Sequence, residues 1–466
     1  MADKPKLTLP EMLGAYGDSG AARFHMPGHK GRGMTPFLGE ELGRWDVTEI
    51  SCTDNLHDPQ GAILEGQKRL AAAYGAEASF YVVNGGTAAI HAMILSLGRE
   101  EKLLLSRDCH KSAIGAVALS GIETVFMTPR YHPELELLEL ITPAELDAAL
   151  EETGATAVLV TSPNYYGLCA DLPGLAAVAH SHGALLLVDG AHGAHFPFSK
   201  SLPEACGESA DLWCHSQHKT LNALTQSASL HVGKCRIKPE KVAEVLALIE
   251  TTSPSFLLMA SLDYATYTAG RQDWDGLCRR VEALERKISC LPGLSLLSER
   301  DCRGAVEKDP TRLVIDVSGR GITGYEAQAH LEQQNIYIEM ADAWRLVLIL
   351  SPEDDPKWYE RLYQALLTLP YGRLIRRGLG LPQIADRMAV SVREATFAKS
   401  SLIPLKQAQD RIPTRTVGIY PPGIALFVPG ERLSREGIDA LLSIEQAGGH
   451  IFGVRNGMVS VMEKEG

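Results

Sequence analysis

A carboxylate, an amine and a glycine turn, each placed just past a short apolar run, are the groups with which this sequence could do chemistry. Leu185-Leu186-Leu187-Val188 runs into Asp189, Asp211-Leu212-Trp213-Cys214 is followed by Ser216-Gln217-His218-Lys219-Thr220, and Phe80-Tyr81-Val82-Val83 leads into Asn84-Gly85-Gly86-Thr87. A lysine can hold an aldehyde as a Schiff base, and a carboxylate can keep a pyridine nitrogen protonated. Free N–H groups at the start of a helix can bind a phosphate. One cofactor needs all three, and it is pyridoxal 5'-phosphate.

The neighbouring residues extend this reading. Gly85 and Gly86 let the backbone approach an anion, and Thr87 adds a hydroxyl. His110, in Asp108-Cys109-His110-Lys111-Ser112 after the run Leu103-Leu104-Leu105, could lie over the pyridine ring and handle protons. Ala191 and His192, just past Asp189, could line the other ring face, and Ser216 and His218 could donate to the phosphate. Taken singly, these are a tight turn, a structural aspartate, a surface lysine and ordinary histidines. The weight lies in their chain order, each at the same end of successive strands, where ligands of open α/β sheets bind.

The elements that must position them form a regular pattern. The runs at 80–83, 103–105, 124–127, 157–160, 185–188, 211–214 and 229–232 are separated by helical stretches. This predicts an α/β fold with a mostly parallel seven-stranded sheet covered on both faces. A helix is expected over Thr87–Leu97, ended by Gly98. The chain then turns helical from about 238 to 289, followed by a second αβ unit with strands near 312–315, 336–338 and 346–349 and helices near 324–334 and 354–368. Asn456-Gly457, between two apolar runs, signals a two-residue hairpin. The expected division is an N-terminal arm (1–50), a cofactor-binding large domain with linking helices (51–290), a small αβ domain (291–378) and a C-terminal α+β domain (379–466).

Composition narrows the partners. The 466 residues are 45% hydrophobic with a net charge of −12, which suits a globular enzyme and disfavours nucleic acid as a ligand. Nine scattered cysteines without a C-x-x-C pair suggest a reducing cytoplasm. No stretch approaches the roughly 18 apolar residues of a membrane span, and no signal core follows Met1. His192, His195, His215 and His218 fit no metal-ligand spacing, so no metal is expected. Gly28-His29-Lys30-Gly31-Arg32-Gly33 follows no strand and is not a dinucleotide fingerprint.

The chain resembles the Orn/Lys/Arg decarboxylases almost end to end, in the shorter Gram-positive form without the N-terminal wing domain. The resemblance is carried by Phe24-His25-Met26-Pro27-Gly28-His29-Lys30, Thr53-Asp54-Asn55-Leu56-His57, His110-Lys111-Ser112, Ser162-Pro163-Asn164-Tyr165-Tyr166-Gly167, Asp189-Gly190-Ala191-His192-Gly193, His218-Lys219-Thr220, Thr251-Thr252-Ser253-Pro254-Ser255 and Tyr420-Pro421-Pro422-Gly423. It implies a fold-type I, aspartate aminotransferase-like enzyme that decarboxylates lysine, arginine or ornithine to polyamine precursors and carbon dioxide. It makes Lys219 the cofactor lysine, Asp189 the partner of the pyridine nitrogen, His110 the stacking residue, and Gly86, Thr87, Ser216 and His218 the phosphate contacts. It also implies a homodimer or larger homo-oligomer with shared sites, in which Thr251 to Ser255 come from the partner and Glu431 meets the substrate's distal cation. Gln217, Asn222 and Ser400 depart from the family pattern. Transamination on the same fold, with Arg345 or Arg393 as carboxylate clamps, and a non-catalytic cofactor-binding regulator are the alternatives.

Overall fold

In a computed structural model of the chain, the described residues are 20, 22–24, 54–373, 388–420, 424–446 and 448–463. Residues 25–33, Thr53 and 421–423 of the motifs above lie outside them. The large sheet has seven strands: β1 Ala78–Val82, β2 Lys102–Ser106, β3 Glu123–Met127, β4 Ala157–Thr161, β5 Leu185–Asp189, β6 Leu212–His215 and β7 Ala228–Val232. Their order is β1-β7-β6-β5-β4-β2-β3. β7 runs antiparallel to both of its neighbours, while the β6–β5, β5–β4, β4–β2 and β2–β3 pairs are parallel.

Continuous apolar runs suit strands buried on both faces, and alternate residues enter two separate cores. Leu104, Val158, Val160, Leu186, Val188 and Trp213 pack on one side. Leu103, Leu105, Leu159, Leu185, Leu187 and Leu212 pack on the other. Helix α1, Gly85–Leu95, has no single apolar stripe because Ala88, Ala89, Ile90, Ala92, Met93 and Ile94 are all buried. It begins two residues earlier than the sequence pattern predicts. Gly85 enters it at φ 79°, a conformation that a side chain would strain, so the glycines belong to the first turn.

The second unit is built on a four-stranded sheet whose central pair, β8 Arg312–Asp316 and β9 Arg345–Ile349, is antiparallel. Gly324–Gln333 and Pro356–Leu367 are its helices. Ile336–Ile338 pairs instead with Ala22–Phe24, so this part of the N-terminal arm is docked on the second unit. Ala305–Lys308 pairs with Leu168–Ala170, which ties the second unit to the large one beside the ends of β4 and β5. In the C-terminal unit, Asn456 and Gly457 take φ 52° and 70° between Val454–Arg455 and Met458–Met462, as the hairpin signal predicts. His450–Phe452 pairs elsewhere, with Val417–Tyr420.

One buried ion pair joins the C-terminal unit to the loop after β2. Arg107 Nη1 lies 3.0 Å from Glu431 Oε1, and Arg107 Nη2 donates to Leu426 O. Both side chains are almost fully buried. Truncating one partner leaves the other charge unpaired in the interior, which costs about 3–5 kcal/mol. Glu431→Ala is expected to lower stability by about that amount in urea unfolding, and Glu431→Gln by less, since it keeps an acceptor for Val428 N–H. Equal, near-zero losses would contradict the clamp.

Candidate active site

The carboxyl ends of the strands open on a cavity of about 390 Å³, within the range of small-molecule sites. Its walls include Gly85, Gly86 and Thr87 after β1, Asp108 and His110 after β2, Asp189, Ala191 and His192 at β5, and Ser216, His218 and Lys219 after β6. Every cofactor residue named from the sequence is thus brought to one cavity, except Ser255. Ser255 instead caps the helix Phe256–Ala269, accepting from Leu258 N–H, and does not line the cavity of its own chain.

Glu431 requires a correction. Its carboxylate is consumed by Arg107 and by Val428 N–H, it is buried, and it is not on the cavity wall. The geometry gives it the interdomain clamp and leaves no free charge for a substrate cation.

Each remaining group has a defined setting. Asp189 is buried, and its Oδ1 accepts from Ala191 N–H at 3.1 Å. Ala191 O in turn accepts from Ser216 N–H. Beside it, at the end of β4, Thr161 Oγ1 is buried on the cavity wall with no hydrogen-bond partner among the described residues. Gly86 packs so closely on Ser216 that an added Cβ would collide with Ser216 Oγ. His110 caps helix α2, Lys111–Ser120, with Nδ1 accepting from Ser112 N–H. Burial lowers the His110 pKa, with Asp189 opposing and Lys219 adding to the shift. Burial likewise lowers that of Lys219, against Asp189 and Glu339. Lys219 Nζ lies 3.0 Å from His192 Nε2.

His218 departs from its expected role. Its Nδ1 is 2.8 Å from Ser227 O and must donate there, and burial pushes its pKa down to about 4. The neutral ring then offers only a lone pair at Nε2, so it donates to an anion only after taking up a second proton. The four histidines of the rejected zinc reading have separate partners: Arg312 and Lys219 for His192, Asp309 for His195, His231 for His215 and Ser227 for His218.

The family departures acquire physical reasons. Gln217 is buried and bridges Tyr74 and Ser229, donating to Ser229 Oγ at 3.0 Å and accepting from Tyr74 OH at 3.1 Å. Asn222 donates to Glu353, which also accepts from Gln272. Ser400 lies on an exposed strand paired with Met462, and nothing in the structure links it to the cavity. Arg345 is held by Asp342 and Asp316, and Arg393 by the carbonyls of Ala118 and Leu119. Neither faces the cavity.

Comparisons with known proteins bear on the family and the fold. Residues 8–301 match the major domain of the Orn/Lys/Arg decarboxylases, and residues 377–465 match their C-terminal domain. The chain belongs to the Orn/Lys/Arg decarboxylase family. Arginine decarboxylase of Bacillus subtilis is 34% identical over 447 residues, covering 91% of each chain. The structure of Escherichia coli constitutive lysine decarboxylase superposes with a TM-score of 0.78 at 20% identity, over 97% of this chain and 81% of that one. Alanine–glyoxylate aminotransferase from Nostoc superposes with a TM-score of 0.53 at 16% identity, over 71% of this chain and 99% of that one. The protein is a decarboxylase with the fold-type I architecture.

Sequence reasoning missed Thr161, Thr225 and Gln226 on the wall, and Glu250 behind it. Thr225 and Gln226 are polar residues just before β7, and Gln226 Nε2 donates to Val83 O. Glu250 accepts Val83 N–H at 2.7 Å and so fixes the turn that starts α1. Burial pushes its carboxyl up to about 7 from an ordinary 4.5, despite those backbone hydrogen bonds. The folded state therefore holds a proton that the unfolded chain has lost. This stabilisation is complete below about 4.5 and disappears as pH rises through about 7. Glu250→Gln, which cannot ionise, should gain stability relative to the parent across that window, by up to roughly 3 kcal/mol. Urea unfolding of both proteins at several pH values between these limits measures it; a constant difference would refute the linkage.

Proposed function

We propose that this decarboxylase releases carbon dioxide from a basic L-amino acid, using pyridoxal 5'-phosphate held between the α1 turn and Asp189. The observation that carries the reading is the convergence of Lys219, Asp189, His110 and the glycine turn on one cavity. The Bacillus subtilis relative is an arginine decarboxylase, so arginine is the first substrate to test among arginine, lysine and ornithine.

The donor set suits the cofactor. Gly85, Gly86 and Thr87 at the start of α1, with Ser216, would hold the phosphate, and His218 would join them once protonated. A dianion drawing that second proton makes phosphate binding tighter as pH falls. Asp189, a buried carboxylate whose Oδ1 accepts from Ala191 N–H, would hold a proton on the pyridine nitrogen. His110 would cover one ring face, and Thr161 Oγ1, without a partner among the described residues, offers a hydroxyl beside Asp189. When bound, the cofactor supplies the sink for the electrons left as carbon dioxide departs.

The chain's own residues set the rest. Lys219, its pKa lowered by burial, offers a neutral nucleophile at a lower pH than a solvated lysine would. No arginine lines the cavity among the described residues, so the α-carboxylate meets no guanidinium clamp. This favours decarboxylation over transamination, because a clamp would stabilise the group that has to lose its charge. His192 and Lys219 lie 3.0 Å apart and are the candidates to return a proton to Cα.

The homodimer and the cytoplasmic location belong to this proposal. Thr251, Thr252 and Ser253 are exposed in the single chain, as a segment offered to a partner's site would be.

Purified protein with pyridoxal 5'-phosphate is expected to form the amine and carbon dioxide from one basic L-amino acid, and Lys219→Ala to form neither. Turnover that survives in Lys219→Ala, or that requires a keto acid, would refute the assignment. A dimer with shared sites also predicts complementation. Hybrids of Lys219→Ala with an inactive variant in residues 251–255 should regain activity that neither parent has.

A further inference from the structure

Behind Lys219 stands a three-residue chain whose hydrogen bonds admit one protonation pattern. His192 Nε2 is 3.0 Å from Lys219 Nζ, and Arg312 Nη2 is 3.0 Å from His192 Nδ1 on the opposite edge of the ring. A guanidinium carries donors only and stays charged. His192 Nδ1 therefore accepts, and the proton of the neutral ring sits on Nε2, aimed at Lys219. Lys219 Nζ must accept that proton in a hydrogen bond, and an ammonium has no lone pair with which to do so. The consistent arrangement is a charged Arg312, a neutral His192 protonated at Nε2, and an uncharged Lys219.

We propose that Arg312 is a positioning residue for the reaction: by fixing the tautomer of His192 it holds Lys219 as the free amine and keeps a donor proton facing the reacting atoms. The inference rests on the reading of Lys219 as the cofactor lysine. It adds a residue from the second unit, on β8, to a site otherwise built at the ends of the large sheet.

Arg312 is fully buried, and its Nε and Nη1 have no hydrogen-bond partner among the described residues. Leaving two donors of a buried charge unmatched is costly, so packing alone is a poor reason for an arginine here. The nearby carboxylate of Asp309, paired with His195 at 3.2 Å, supplies a compensating charge. His192 is fixed from the side by Tyr165, whose ring meets it edge-on at 4.7 Å and whose hydroxyl donates to Glu339 at 2.6 Å. The other titratable groups facing His192 are His110 at the start of α2 and His218 beside Lys219. Asp189 on β5 and Glu339 before Met340–Ala341 pull a proton toward Lys219. Burial, the strongest influence on both groups, opposes them and keeps His192 and Lys219 neutral at lower pH than in water, with Arg312 acting in the same direction.

The test measures how fast the unloaded enzyme captures pyridoxal 5'-phosphate as a function of pH, followed by visible absorbance, since capture requires the free amine. Arg312→Met releases the His192 tautomer, and Nε2 can then accept from an ammonium. The midpoint of capture is expected to rise by about one pH unit. Arg312→Lys, which keeps a charged donor, should move it back toward the parent. In a His192→Phe background, Arg312→Met should add only a small residual shift, that of the lost charge alone. A shift of equal size there would mean that Arg312 acts only through its charge, and no shift in either background would mean that it does not act on Lys219; both overturn the proposal. In the loaded enzyme kcat should fall about 10²-fold in Arg312→Met with little change in KM.

If the methionine variants do not fold, nitrogen-15 NMR of the unloaded parent decides, with His192 assigned by its loss in His192→Phe. Nδ1 should resonate as the bare ring nitrogen and Nε2 as the protonated one; the reverse overturns the proposal. A parent that never captures the cofactor, or that captures it equally as Lys219→Ala, would instead count against the proposed function. The His192 tautomer would still be read independently.

Discussion

The proposed cofactor role places one electrostatic demand on the cavity: a lysine amine would have to be uncharged beside the carboxylate of an aspartate. The two groups oppose each other, because Asp189 draws a proton onto Lys219 while burial removes it. Neither a surface loop nor a dry core meets the demand. A fully solvated lysine would stay an ammonium, and an isolated carboxylate in a dry core would lose its charge. The ends of parallel strands satisfy both, since the strands bring buried backbone to the cavity and the loops bring polar side chains. The second unit adds Arg312 on the far side of His192, where the proposed tautomer lock would favour the neutral lysine.

The lysine loop needs a floor that does not move, and the floor is polar. Gln217 joins Tyr74 to Ser229, Ser229 meets His231 at 2.8 Å, and His231 meets Ser79 at 2.7 Å and His215 at 3.2 Å. Burial pushes the His215 pKa down to about 3, with His195 adding to it, and lowers that of His231 as well. The network is therefore neutral and adds no net charge beneath Lys219. Because each member depends on its neighbours for hydrogen bonds, a displaced Gln217 would leave several buried groups unsatisfied. A small residue at 217 would have neither the length nor the two-sided amide to make both hydrogen bonds, which gives this departure from the family pattern a physical role.

What was legible in the sequence was whatever a short stretch of chain encodes by itself. Asp189, Lys219 and the glycine turn each follow an apolar run, and the run fixes the end of the sheet at which they emerge. The Asn456-Gly457 hairpin is local in the same way. Illegible were the groups whose partners lie far along the chain: Arg312 is 120 residues from His192, and Glu431 is 324 residues from Arg107. The family resemblance implies a substrate contact for Glu431, but a resemblance carries no information about an arginine elsewhere in this chain that takes up the same carboxylate. His218 shows a finer limit. Its place beside the phosphate turn followed from sequence, whereas the direction of its Nδ1 proton depends on the carbonyl of Ser227.

The contrast with an aminotransferase of the same architecture comes down to where the arginines are spent. Arg345 stands at the start of β9, close enough to the cavity for Tyr166 to share its partner Asp342. Two aspartates and the Leu135 carbonyl occupy its guanidinium, which leaves it unable to turn toward a carboxylate without breaking buried ion pairs. Arg312 is likewise committed, to a histidine. A carboxylate entering this cavity would find histidines, hydroxyls and acidic neighbours, among them Asp108, whose own carboxyl is raised by burial. Among the described residues these surroundings offer such an anion no guanidinium, which is in keeping with the proposed loss of carbon dioxide.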